Sequence, residues 1–333
     1  MSELSREQLL ELVSGWIAGG KRVIGPMEVK PGVVLFGALP SAAALRLDGW
    51  TAPANSIKEA VFPRHEKLYG YRIARNSVEL VDQPEAAPEQ IVIAAHPCQV
   101  ASFPILDRVF NWDFADDFYN RRRAATTVVS LACDSHDDAC FCTSVGLGPA
   151  SEKGADAILH PAGEGRYLLR TLTDKGRALL GAGHSDPAPA PADAPPVRFD
   201  PAQTLAFARD RFADAFWKEH ALACLGCGAC AFVCPVCHCF DIVDEKHGAE
   251  GVRARNWDAC QFPLFTLHAS GHNPRHAQGD RQRQRIYHKF FVYPEKFGEI
   301  LCTGCGNCAR SCPAGLGVLP LVTEIRDAEP VQA

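Results

Sequence analysis

Cys224, Cys227, Cys230 and Cys234 follow one another at steps of three, three and four residues and are closed by Pro235; Cys302, Cys305, Cys308 and Cys312 repeat the same steps and are closed by Pro313. Cysteines spaced in this way, interleaved with Gly226, Gly228, Gly304 and Gly306, suit neither a helix face nor a strand face. They suit a loop that wraps a centre, with the glycines letting the backbone turn tightly and bring its amides toward sulfur. Four thiolates converging on one core are what a cubane iron–sulfur cluster needs. The chain has fifteen cysteines, and its opening, MSELSREQLLELVSGW, lacks the basic and apolar regions of a secretory signal. A cytoplasmic compartment is expected, where such a cysteine excess points to metal ligation before disulfides. A pair of structural zinc sites is the alternative, although zinc ribbons usually split their ligands into separated pairs.

The spacing is that of bacterial two-cluster ferredoxins, in which the last cysteine of each run ligates the other cluster. One 4Fe-4S cluster is therefore expected on Cys224, Cys227, Cys230 and Cys312, and a second on Cys302, Cys305, Cys308 and Cys234. Each cubane with four thiolates carries a charge of roughly −2, so two of them create a repulsive field that needs compensation. Arg275, Arg281, Arg283, Arg285 and Lys289 stand against the single acid Asp280, with His268, His272, His276 and His288 nearby. This block is expected to face the clusters or a docking partner; a solvated helix face and a nucleic-acid patch are the alternatives.

The remaining cysteines divide between the two halves of the chain. Cys98 follows one β-branched run, while Cys133, Cys140 and Cys142 follow another, so loops from two neighbouring strand ends can converge. A third iron–sulfur cluster on these four is expected, with zinc or a set of small buried thiols as the alternatives. Cys237, Cys239 and Cys260 have no fourth partner in their own half and read as packed thiols beside the clusters. No Walker loop, Gly-x-Ser-x-Gly elbow, His-Glu-x-x-His or dinucleotide fingerprint accompanies them, and no catalytic residue is assigned. Ser144, Gly146 and Gly148 read as a plain turn.

The fold class expected is α+β: an N-terminal mixed α/β domain followed by a mainly helical, ferredoxin-like two-cluster domain. Ser5 and Gln8 form a capping box ahead of Leu9, Leu10, Val13, Trp16 and Ile17, which share one helix face until Gly19 and Gly20. Val33–Phe36, Ile91–Ala94 and Thr126–Leu131 read as strands, and Pro201–Ala223 as helix. Pro- and Ala-rich residues 186–197 suggest an extended linker, giving an α+β domain over 1–185, a dicluster domain over 198–322 and a tail over 323–333. The residues between the cysteine runs, 235–301, exceed what a minimal ferredoxin needs. With 47% hydrophobic and 22% charged residues the chain is globular in composition, and its net charge of −5 gives no global basic field for nucleic acid. The longest uncharged apolar stretch, Pro31–Leu45, contains Pro40 and falls short of the ~18–20 residues of a spanning helix. Membrane insertion is not expected.

The segments CLGCGACAFVCPVCHCFDIVDE, RNWDACQFPLFTLHASGHNPR, RQRQRIYHKFF and CTGCGNCARSCP resemble the 4Fe-4S dicluster proteins that serve as beta subunits of cytoplasmic nickel-iron hydrogenases (sulfhydrogenases) and as the corresponding iron–sulfur component of anaerobic sulfite reductase. In the N-terminal half, AVFPRHEKLYGYR, AAHPCQVASFPILDRVF and CDSHDDACFCTSVGLGP carry the same resemblance, with Gln99 where the family pattern has Asp. The resemblance implies a non-catalytic electron-transfer subunit that relays single electrons between a flavoprotein of the FAD/NAD(P)H type and a redox catalytic subunit, hydrogenase-like or sulfite reductase-like. Two other classes stand beside it: an iron–sulfur enzyme with its own substrate or flavin pocket in the N-terminal domain, and a scaffold in which clusters only hold the fold.

Overall fold

The computed structural model describes residues 2–50, 52–81, 87–181 and 193–328. Its first helix, Arg6–Ala18, starts where Ser5 Oγ accepts the Gln8 amide and Gln8 Oε1 accepts the Ser5 amide, so two donors that a helix start would leave orphaned are satisfied. Leu9, Val13 and Trp16 are its buried face, and Gly19 ends it.

The described strands, in chain order, are β1 (Ser2–Ser5), β2 (Arg22–Lys30), β3 (Val33–Ala38), β4 (His65–Ala74), β5 (Ser77–Leu80), β6 (Gln90–Ala95), β7 (Thr126–Leu131), β8 (Ala157–Pro161), β9 (Arg166–Thr171), β10 (Phe240–His247) and β11 (Glu250–Trp257). Seven of them make a mixed sheet in the order β1-β9-β8-β7-β6-β2-β3, with a parallel block of β2, β6, β7 and β8 and antiparallel strands at both edges. Every residue of β6 is buried, as a strand covered on both faces must be. Side chains alternate between the faces: Ile91, Ile93, Val129 and Leu131 pack with Leu9, Val13 and Trp16, whereas Val92 and Val128 pack with Phe62, Phe103 and Tyr119.

The second sheet joins distant parts of the chain. Its order is β10-β11-β4-β5, so a hairpin from between the two cysteine runs pairs with a hairpin from residues 65–80. At Gly251 a side chain would meet the Tyr71 ring, which lies across that position in the register. The 198–322 stretch is thus not only helical: beside helices Pro201–Asp210, Phe216–His220 and Gln278–Tyr287 it carries two eight-residue strands. The helix expected over Pro201–Ala223 is also broken: it ends at Asp210, and a second helix begins at Phe216, whose amide donates to Asp214 at 2.8 Å. Helix Val318–Asp327 extends into the segment read as a tail. Most of the 186–197 linker lies outside the described residues; at its end the Pro195 carbonyl accepts Thr143 Oγ1 at 2.7 Å. Phe141 and Ile105, from the N-terminal half, belong to cores otherwise built from residues after 198. No helix among the described residues is long and apolar enough to cross a membrane.

A buried ion network ties β4 and β11 of the second sheet to the helix Asp117–Ala124 and its N-cap Asp116. Glu66 on β4 accepts from Arg255 on β11 and from Arg122, while Arg255 also pairs with Asp116; Glu66 and Arg255 are each 3% exposed. Removing one partner of such a pair strands the other charge away from water. Arg255→Leu is therefore expected to destabilise the chain by about 3–5 kcal/mol, read as a lowered midpoint in denaturant titration, with Arg253→Leu on an exposed pair costing about 1 kcal/mol or less.

Candidate functional site

Strands β6 and β7 are parallel neighbours, with Ala95 opposite Ser130, so their carboxyl ends leave the sheet at the same edge. The register shifts between Ile93 and Ala95, where Ala94 has φ of +56°, and the chain then turns into His96, Pro97 and Cys98. Cys133 follows β7, and the loop beyond it brings back Cys140 and Cys142. These four cysteines line a single cavity, together with His96, Gly304 and Cys305. The strand-end convergence expected for them is what the backbone produces.

Two further cavities are lined by cysteines. One has Cys224, Cys227, Cys230 and Cys312 in its wall; the other has Cys234, Cys302, Cys305 and Cys308. In each case three cysteines come from one run and the fourth from the other. Cys305 borders both this last cavity and the N-terminal one. The contact between them is close: a Cβ on Gly304 would lie 2.5 Å from the Cys142 backbone, and one on Gly306 would lie 2.4 Å from the Ala139 carbonyl oxygen. Both glycines also have left-handed φ, +65° and +73°, which only glycine adopts freely. Arg310 fastens the same junction, bonding Asp137 at 2.6 and 2.8 Å, the Cys305 carbonyl at 2.6 Å and Cys140 Sγ at 3.1 Å. The guanidinium holds the Asp137 carboxyl down at about 2.

Burial pushes the thiols of Cys142, Cys230 and Cys302 up to about 11 and drives those of Cys98, Cys133 and Cys305 well above the ordinary range. A thiol so placed is neutral and a poor nucleophile near pH 7, and it becomes a thiolate only when metal replaces its proton. The sulfurs also have donors aimed at them: Gln278 and Gln282 reach Cys224 Sγ at 3.2 and 2.9 Å, the Leu316 amide reaches Cys312 at 3.2 Å and the Val318 amide reaches Cys308 at 3.3 Å. Such bonds stabilise ligated sulfur and tune its metal. Among the described residues, no three Cys, His, Asp or Glu side chains close on one point as a single-ion site requires. The donor set and the cavities between the sulfurs fit a larger polynuclear core.

The basic block is not a solvated face. Arg281, Arg285 and Lys289 are buried, and Arg283 lies over the Phe212 ring at 3.9 Å. Arg281 is structural, donating to the carbonyls of Arg275 and His276. Arg285 differs: it borders the cavity of Cys234, Cys302, Cys305 and Cys308, and none of its three nitrogens has a hydrogen-bond partner among the described residues. Burial pushes the Lys289 ammonium down and the thiols of Cys234, Cys237 and Cys302 more than reverse it; its Nζ lies 3.5 Å from Cys234 Sγ. A further buried basic residue, Lys58, comes from the N-terminal half, donates to the Cys237 carbonyl at 2.8 Å and sits over Trp257. Nothing in its local sequence marks it; only the pairing of the halves brings it here. Cys237 and Cys239, left over by the count, lie beside Cys234 and Cys260.

The family described as the 4Fe-4S dicluster domain matches residues 223–316. Sulfhydrogenase 2 subunit beta of Pyrococcus furiosus is 31% identical over 272 residues, which cover 77% of this chain and 79% of that protein. This chain belongs to the family of sulfhydrogenase beta subunits. It is an iron–sulfur protein of the 4Fe-4S electron-transfer class. No solved structure matches it. The relative's match extends well beyond the dicluster segment, so the family likeness includes a large part of the N-terminal half.

Two outcomes follow from this site. Replacing the orphan cation, Arg285→Met, removes positive charge beside a centre that gains negative charge on reduction, so at least one cluster potential is expected to fall by roughly 60 mV or more, about 1.4 kcal/mol for one electron, in an EPR-monitored redox titration with iron content preserved. Gly304→Ala forces its methyl into the Cys142 backbone and is expected to cost about 1–3 kcal/mol. It should lower the thermal midpoint and reduce iron retained, whereas Gly315→Ala, with the same left-handed φ (+69°) but open space around it, carries the backbone strain without the clash and should retain the metal.

Proposed function

We propose that this family member is a three-centre electron relay: one 4Fe-4S cluster held by Cys224, Cys227, Cys230 and Cys312, one by Cys302, Cys305, Cys308 and Cys234, and one by Cys98, Cys133, Cys140 and Cys142. A cluster of this kind takes up and returns one electron at a time. The observation that carries the reading is the row of cysteine-lined cavities. Cys305 borders the middle and N-terminal ones, and Arg285 lies among Cys230, Cys308, Cys237 and Cys260 between the middle and C-terminal ones. The chain's own residues set the field, with Lys58, Lys289 and Arg285 opposing the negative charge of the centres. The chain would serve as a non-catalytic subunit between a flavoprotein of the FAD/NAD(P)H type and a hydrogenase-like or sulfite reductase-like catalytic subunit. Its free cysteines suit a reducing, cytoplasmic setting.

The test is metal and sulfide analysis of the full chain purified without oxygen. About twelve irons with matching acid-labile sulfide are expected, falling by about four in Cys98→Ser. Cys234→Ser should erase the EPR signal of the cluster on Cys302, Cys305 and Cys308 and spare that on Cys224, Cys227 and Cys230. Zinc without sulfide would replace the relay with a structural role.

A second reading has its own observation. At the carboxyl edge of β6, β7 and β8, where open α/β sheets bind ligands, a polar crevice is lined by Asp48, Trp50, His96, Asp134 and Ser135. It adjoins the N-terminal cysteines through His96 and Ser135. An iron–sulfur enzyme with its own flavin or substrate pocket would use it, and reconstituted chain alone would then bind flavin in an absorbance titration.

A further inference from the structure

The cavity of Cys224, Cys227, Cys230 and Cys312 lies at a surface unlike the rest of the molecule. Cys227 is exposed, and the leucines flanking Cys224 point to solvent, Leu222 at 86% and Leu225 at 72% exposure. Beside them runs the loop after β11. Its Phe262 ring occupies the space a Cβ on Gly228 would need, at 2.5 Å, and its Gln278 end lies 3.1 Å from where a Cβ on Gly226 would be. From this loop Leu264, 73% exposed, and Leu267 also face solvent. Several large aliphatic side chains exposed around one redox site are more than the scattered apolar residues every surface carries.

The loop is built to hold this shape. Asn273 donates to the Pro263 carbonyl at 2.6 Å, and its Oδ1 accepts both Thr266 Oγ1 at 2.8 Å and the Arg275 amide at 3.0 Å. Its charge is one-sided: residues 259–279 contain Arg275, His268, His272 and His276 but no acid, and neither do residues 221–239 on the facing loop. Of the acids just outside these segments, Asp280 is engaged by the Ala277 amide and Arg283, and half-buried Asp258 by the Ala259 amide.

We propose that this leucine-studded, acid-free face is the docking surface for a redox partner protein that presents an apolar centre ringed by carboxylates and carries a one-electron centre near its own surface. An apolar middle with a charged rim is the anatomy of a specific interface, and the opposite charge on the partner steers encounter. One electron crosses: the partner's centre is oxidised by one, the cluster site behind Cys227 is reduced by one, and no bond is made or broken. The proposal rests on the relay reading above and adds where one end of the relay exchanges electrons and with what kind of surface.

The experiment uses the full reconstituted chain, with reduced acidic [2Fe-2S] ferredoxin as the probe and reduced methyl viologen as a donor too small to need a docking face. Wild-type chain is expected to accept electrons from the ferredoxin at a rate that falls as salt rises. Leu264→Asp with Leu267→Asp should slow that rate at least about tenfold, with iron content and viologen reduction unchanged. Arg275→Glu, which leaves the leucines intact, should slow it as well, so a folding defect in the double variant does not decide the matter. Ferredoxin rates unchanged in both variants while viologen reduction is intact, or faster exchange with a basic cytochrome c than with the acidic probe, would overturn the docking face alone. Failure of viologen to reduce the wild-type chain would overturn the relay, and this proposal with it.

Discussion

Collecting several thiolate-ligated centres inside one small protein concentrates negative charge where water cannot screen it, and the architecture is organised around opposing that charge. Lys58, Arg285 and Lys289 are buried cations that surface-seeking residues of these types seldom become. Lys58 and Lys289 find carbonyls and sulfurs to bond. Arg285 finds none among the described residues, and a guanidinium so buried makes physical sense beside strong negative charge. The cations reach the site from two separate parts of the chain, so the electrostatic requirement is also a folding requirement.

That requirement accounts for the intimacy of the two halves. A ferredoxin-like unit standing alone would have to bring its own cations and cover its own loops. Here β4 and β5 extend the hairpin β10–β11 into a sheet, Phe141 enters the core around Phe199 and Phe290, and Arg310 ties the second cysteine run to the N-terminal cysteine loop. The long insertion between the cysteine runs supplies the pairing hairpin, the helix that carries Arg285, and the loop beside Cys227. Its length is the cost of joining a cluster unit to a mixed α/β sheet.

The two ends of the row of cavities differ in a way that suits transfer between different neighbours. At the N-terminal end the cysteines sit at the carboxyl edge of a parallel block, next to a polar crevice. At the other end an exposed cysteine lies among exposed leucines. The middle cavity borders Cys234 and Cys308, both buried; in the proposed relay its centre would be sheltered from solvent, and the outer two would exchange electrons with the neighbours.

Much of this was readable in the linear chain, and the reason is range. A capping box, a helix face at Leu9, Val13 and Trp16, the strand Thr126–Leu131 and the spacing of two cysteine runs are all encoded within a dozen residues, where covalent geometry and periodicity leave few choices. The grouping of each run's last cysteine with the other run follows from the same loop geometry repeated twice. What the linear chain could not disclose depends on which distant segments meet. The pairing of β4 with β11, the arrival of Lys58 beside Cys237, the contact of Gly304 with Cys142 and the burial of Arg285 inside a block that reads like any charged helix are decided by packing. Hydrophobic burial and hydrogen-bond satisfaction act on the whole chain at once, and only the folded molecule shows where they balance.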